Sequence, residues 1–227
     1  MFDGIVDRYD ALNRLISLGQ DRAWRRATVR AIHPEPGDRV LDLGVGTGDL
    51  AGLVHARMGV SASRAGRGQV VGIDLSAAML ARARARFGED VALVRGSAFR
   101  LPFRSGLFQG AVSGFVLRNL QDLEGAMREL ARVMAPGGRI ALLDATEPRS
   151  WLRPAFDVYF RLAAPALGAL AGRRGAYQYL ASSLAQIPPA EEMRRILGRA
   201  GFEHTDARPM SLGAVTLFTG RRALSGR

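Results

Sequence analysis

The stretch LDLGVGTGDL, residues 41–50, sets Gly44, Gly46 and Gly48 between two carboxylates, Asp42 and Asp49. Glycines where a strand turns into a helix let backbone approach a ligand and let the helix pack close to the sheet. The spacing is GxGxG, not the GxGxxG of dinucleotide binders. Carboxylates on both sides would repel a pyrophosphate. They suit a ligand that carries positive charge. A second short apolar run, QVVGIDL, ends in Asp74 and Leu75, and a third leads to Gly96, Ser97 and Ala98. A fourth, FQGAVSGF, is followed by a guanidinium and an amide side by side, Arg118 and Asn119.

Each of these groups has an ordinary alternative. Asp42 could simply accept hydrogen bonds that hold a loop. Asp74 could be an acid at a helix N-terminus, favoured by the macrodipole. Their order, at the ends of successive strands, points instead to one site for S-adenosylmethionine. Asp42 and Asp49 would face its ammonium and sulfonium. Asp74 would accept from the ribose diol, and the Ser97–Ala98 segment would meet the adenine edge.

The elements that must position these residues alternate. Strands are expected at RVLDLG, QVVGIDL, VALVRG, FQGAVSGF and RIALLDA. Helices are expected over residues 3–31 with a break at Gly19, over Asp49–Met58, over AAMLARARARF behind an N-cap at Ser76, and over Asp122–Met134. APGG then reads as a helix stop and turn. Alternating strands and helices imply a doubly wound α/β sheet, mostly parallel. The final pair, GFEHTDARPM and GAVTLFTG, reads as two antiparallel edge strands after a helix at Ala190–Ala200. Residues 150–187 break the rhythm and read as an inserted helical cap. The whole is expected to be one domain over 1–227, with an N-terminal helical segment at 1–31.

Composition narrows the function. The chain has 227 residues and no cysteine, which excludes thiol catalysis and disulfides. Its three histidines lack metal-ligand spacing, so no metal site is expected. Net charge is +11, and all 32 basic residues are arginine. They are spread along the chain without a zinc-finger or RNA-binding signature, so nucleic acid is not the expected partner. MFDGIVDRYD has no apolar core and is not a signal peptide. Pro154–Gly172 is interrupted by Asp157, Arg161 and Pro165 and is a poor membrane span. A cytoplasmic protein follows, with membrane association open.

LDLGVGTGDL, GIDLS, LPF, LRN and RVMAPGG, taken in order, resemble a class I methyltransferase. More narrowly, the chain resembles the C-methyltransferases of menaquinone and ubiquinone biosynthesis. FDGIVDRYDALNRLISLGQDRAWRR, FVLRN and AYQYLASSLAQIP carry that narrower resemblance, which covers essentially the whole chain. It implies that Thr47, Asp74, Ser97 and Ala98 contact the cofactor, that Tyr9 closes over it, and that Arg118 and Asn119 face the substrate ring. It implies methylation of a ring carbon of a reduced prenylated quinone, demethylmenaquinol becoming menaquinol. Another small aromatic or benzoquinol substrate remains an alternative, as does a weakly active cofactor-binding component of a quinone-synthesis complex. Homodimerisation is left open.

Departures from the family pattern fall at Ser97, Gln109, Gly114, Val116, Asp144–Ala145, Ser182 and Phe218. Val116 stands where the family usually keeps a small residue. No His–carboxylate dyad is present in the sequence pattern, so a weak base or a water is expected to take the ring proton. Trp151, Phe156, Tyr159, Phe160, Leu162 and Leu167 of the cap could line a channel for a polyprenyl tail, or could be ordinary helix packing.

Overall fold

A computed structural model of the protein describes residues 17, 19–59, 68–146 and 187–224. Tyr9, the expected cap with its aromatic residues, and Ser182 lie outside the described residues. The elements run α1 (Asp21–Ile32), β1 (Arg39–Leu43), α2 (Asp49–Met58), β2 (Gln69–Asp74), α3 (Ala77–Phe87) and β3 (Val91–Arg95). They continue with β4 (Phe108–Gly114), α4 (Leu123–Val133), β5 (Met134–Ala145), α5 (Ala190–Arg199), β6 (Phe202–Met210) and β7 (Val215–Arg222).

The seven strands form one sheet in the order β3-β2-β1-β4-β5-β7-β6. The pairs from β3 to β5 are parallel, whereas β7 runs antiparallel to both β5 and β6. Alternating side chains feed two separate cores. Leu41, Leu43, Ile140 and Leu142 face α4 and α5 on one side; Val40, Ala141 and Leu143 face α1 and α2 on the other. That two-sided burial is why the strands read as unbroken apolar runs.

Local signals set the helix starts. Ser76 Oγ accepts from the Met79 N–H, and Asp122 accepts from the Gly125 N–H. Helix α2 has no such cap from its own N-cap residue, Gly48. Asp42, at the end of β1, accepts from the Ala51 N–H at 2.8 Å in its place. The LPF loop is held from α4. Arg132 donates to the carbonyls of Leu101 and Phe103, and Glu129 accepts from the Leu101 N–H.

Two expectations change. GAVTLFTG is not an edge strand: β7 is inserted between β5 and β6 and pairs antiparallel with both, leaving β6 at the edge. APGG does not stop the chain in a free turn. Strand β5 already begins at Met134, opposite Phe108, with an irregular register before Arg139 and Gly137 at φ +76°. The LRN segment after β4 forms a single 3-10 turn, Leu117–Asn119.

Gly48 shows how tightly α2 is seated. Its φ is +89°, and a Cβ there would lie 2.5 Å from the Phe87 ring. Gly48→Ala therefore combines left-handed backbone strain with a clash against α3. It should cost about 1–3 kcal/mol of folding stability in urea denaturation, and an unchanged midpoint would contradict this packing.

Candidate active site

The strand order reverses between β1 and β4: from β1 the chain moves outward through β2 to β3, then returns to β4 on the other side. Loops leaving the carboxyl ends of β1 and β4 diverge there, and open α/β sheets hold ligands in that crevice. A cavity of about 220 Å³ occupies it. Asp42, Gly44, Gly46, Thr47, Asp74, Leu75, Ser97, Ala98 and Asn119 all line it. Sequence reasoning named every one of these.

Two named residues do not line it. Gly48 packs against Phe87, and a Cβ there would meet that ring. Arg118 is buried, and its Nη1 lies 2.5 Å from Asp144 Oδ1. The same carboxylate accepts from the Arg118 N–H at 3.3 Å and from the Ala145 N–H at 2.7 Å. A 3-10 helix has three residues per turn, so neighbours project about 120° apart. Asn119 faces the cavity and Arg118 therefore turns away, toward β5. Burial pushes the Asp144 carboxyl above the ordinary range, opposed chiefly by the Arg118 charge beside it.

The glycine loop is fixed from β2. The N–H groups of Gly44 and Val45 both donate to the Ile73 carbonyl, and the Gly46 N–H donates to Asp74 Oδ2 at 2.9 Å. Asp74 Oδ1 accepts from the Ser76 N–H at 2.9 Å. Each carboxylate oxygen has a second lone pair, so Asp74 can hold the loop and still accept from a diol. The loop-holding alternative and the ligand-binding one are therefore compatible.

Asp42 combines the two roles differently. It is 1 % exposed; Oδ2 takes the Ala51 N–H, while Oδ1 is buried without a hydrogen-bond partner. Burial pushes its carboxyl up from 3.8 to about 7, against the Ala51 hydrogen bond and the nearby charge of Arg25, with Asp74 and Asp49 adding repulsion. An orphaned acceptor in a cavity wall fits a cationic ligand group.

Several contributors escaped the sequence reading. Arg25 of α1, Leu50, Met79, Phe99, Phe115 and Leu120 also line the cavity. Phe115 has φ +63°, unusual for a bulky residue and costly unless the surroundings hold it. Its N–H donates to the Leu143 carbonyl at 2.7 Å, and its ring centroid lies 5.7 Å from the guanidinium carbon of Arg25 and 5.6 Å from that of Arg118. Its place in FVLRN was the available signal, since a phenylalanine directly after a buried strand and before LRN must sit at the crevice.

Comparison with known proteins decides the family. The model of the ubiE/COQ5 methyltransferase family matches residues 1–222. The chain belongs to this family. It is an S-adenosylmethionine-dependent methyltransferase. It is 34% identical over 230 residues to the ubiquinone/menaquinone biosynthesis C-methyltransferase UbiE of Geobacter sulfurreducens, covering 99% of this chain and 88% of that one. It is 34% identical over 238 residues to the demethylmenaquinone methyltransferase of Symbiobacterium thermophilum, covering 100% and 92%. Among solved structures, a SAM-dependent methyltransferase from Thermotoga maritima shares the fold at a TM-score of 0.63 and 18% identity, covering 97% of each chain.

The Asp42 geometry sets a pH test. Between about 3.8 and about 7 the folded protein holds a proton on Asp42 that the unfolded chain has lost. The contribution of Asp42 to stability is thus fully present below the lower value and is lost as pH rises through the upper one. Asn at this position keeps the acceptor for Ala51 and carries no charge. From pH 5.5 to 8 the stability of Asp42→Asn relative to the parent should rise by about 2 kcal/mol, at about 1.4 per pH unit within the window. Parallel urea-denaturation curves at the two pH values would refute it.

Proposed function

We propose that this methyltransferase methylates a ring carbon of a reduced prenylated quinone, converting a demethylmenaquinol to a menaquinol. The observation that carries the reading is that the acids of β1 and β2 and the amide of Asn119 open into one cavity, in a chain of the ubiE/COQ5 family. Asp42 Oδ1 would take the ammonium of the cofactor, Asp74 its ribose, and the Ser97–Ala98 segment its adenine. Phe99, beside that segment, is 44 % exposed and offers a flat apolar surface. Tyr9 is assigned a closing role by the family resemblance.

Bound S-adenosylmethionine supplies an electrophilic methyl group. The residues of the chain have three tasks: to align the ring, to exclude water, and to stabilise phenolate charge. Asn119, which lines the cavity, holds a ring oxygen through its amide in this scheme. As the ring hydroxyl loses its proton to water, the phenolate pushes electron density onto the ortho carbon, which would bond to the methyl group as its bond to sulfur breaks and neutral S-adenosylhomocysteine leaves. The ring carbon then releases its own proton and aromaticity returns. Arg118 acts one layer back, where its pairing with Asp144 holds the LRN turn and hence Asn119. It is a positioning residue in this scheme.

The test is methyl transfer to reduced demethylmenaquinone, a prenylated benzoquinol and a tailless naphthoquinol, in parallel. Preference for the prenylated naphthoquinol is expected, and a preference for either other substrate would redirect the assignment. Removing Arg118 alone strands the buried Asp144 charge, so the double variant Arg118→Met, Asp144→Asn is the better probe. It should bind S-adenosylhomocysteine normally and lose turnover about 10–100-fold, as expected for a misplaced alignment group. Full turnover in that variant would remove Arg118 from the mechanism.

A prenyl substrate and the net charge of +11 support a working position on an anionic membrane surface. No helix among the described residues is long and apolar enough to cross a membrane. Sedimentation with vesicles should show binding to anionic lipid that weakens at high salt. Absence of binding to both anionic and neutral vesicles would refute surface association.

A further inference from the structure

We infer that Arg25 is the group that recognises the carboxylate of the cofactor's amino-acid end, opposite Asp42, which takes the ammonium. The inference rests on reading the cavity as the cofactor site and adds a residue from outside the glycine loop.

Arg25 is carried on α1, ahead of the first strand, yet its side chain lines the same cavity as Asp42 and Gly44. The side chain is only 10% exposed. A guanidinium so deeply placed normally spends its five donors on close acceptors. This one does not. Its Nε lies 3.9 Å from Asp21 and its Nη2 3.4 Å from Asp49, both too long for good charge-assisted hydrogen bonds. The buried Nε has no hydrogen-bond partner.

Each of those acids also uses its other oxygen elsewhere: Asp49 Oδ1 is taken at 2.6 Å by Arg86, and Asp21 Oδ1 accepts from Ser17 Oγ at 3.3 Å. The Phe115 ring centroid lies 5.7 Å from the guanidinium carbon, a contact that uses none of its N–H donors. Gly114 leaves room on the remaining side: a Cβ there would already stand 3.8 Å from Arg25 Nη1.

Arg25 and Asp42 both line one cavity, each has a buried atom without a hydrogen-bond partner, Nε and Oδ1, and with Asp42 ionised the two carry opposite charges. A zwitterionic α-amino acid group is complementary to that pair. The N-terminus of α2 starts at Asp49, beside both, and favours the anionic half further.

Two ligands separate this role from a structural one. S-adenosylhomocysteine has the carboxylate; its decarboxylated analogue keeps the nucleoside, thioether and amine. Isothermal titration should show Arg25→Met binding the first about 10–100-fold more weakly than the parent, the range of a lost charged hydrogen bond. The decarboxylated analogue should bind both proteins equally. Equal weakening toward both ligands would make Arg25 merely structural, and unchanged affinity for S-adenosylhomocysteine would also overturn the inference. A parent protein that binds neither ligand would instead overturn the cofactor site itself. If Arg25→Met does not fold, Arg25→Lys carries the same comparison, with a smaller loss confined to S-adenosylhomocysteine.

Discussion

The site depends on how closely two loops from neighbouring parallel strands approach. The Val116 side chain packs so tightly on Gly44 that a Cβ at Gly44 could not be accommodated. Gly44 takes φ +74°, and its N–H is tied to Ile73 on β2. Through this contact the β1 loop, the β2 end and the β4 turn become one wall. A larger residue at Gly44 would separate the loops and move Asp74, Asn119 and Phe115 apart. The reversal of strand order opens the crevice, and the Gly44–Val116 contact sets its width.

Buried charge is concentrated around that wall. Asp42, Asp144, Arg25 and Arg118 are each at most 9 % exposed. The Arg118–Asp144 pair is joined directly, with three hydrogen bonds converging on one carboxylate, although the buried Arg118 Nε has no partner. Asp42 and Arg25 make no such close pair, each has a buried atom lacking a partner, and both line the cavity. A direct pair contributes geometry; polar groups buried without partners are costly and are relieved by a ligand that reaches them. Close pairing and position, rather than an unpartnered atom alone, separate the residues that shape the site from those that would bind in it.

Much of the fold was legible because its signals are local or periodic. Helices α2 and α3 fall on their expected bounds, since Gly59 and Gly88 end them and Ser76 caps α3. The residues that line the cavity were legible because glycine and carboxylate positions follow strand ends, which the apolar runs mark. The insertion of β7 between β5 and β6 was not legible: sheet order is a long-range property, and an apolar run shows burial without naming the neighbours. Arg25 was hidden for the same reason. On α1 it is one of three arginines within five residues, Arg22, Arg25 and Arg26, and only the docking of α1 on the sheet singles it out.

The contrast between Arg118 and Arg25 follows from backbone geometry rather than residue type. Adjacent placement with Asn119 made Arg118 look like a second hand on the substrate. In a 3-10 turn adjacency implies the opposite, because successive side chains diverge by about 120°. One of the two had to face inward, and the fully buried carboxylate of Asp144 at the end of β5 determined which. Arg25 and Arg118 both lie within 5.7 Å of the Phe115 ring centroid, yet one lines the cavity and the other pairs with Asp144. The left-handed backbone of Phe115, costly for a bulky residue, is the conformation that sets its ring beside both guanidinium groups.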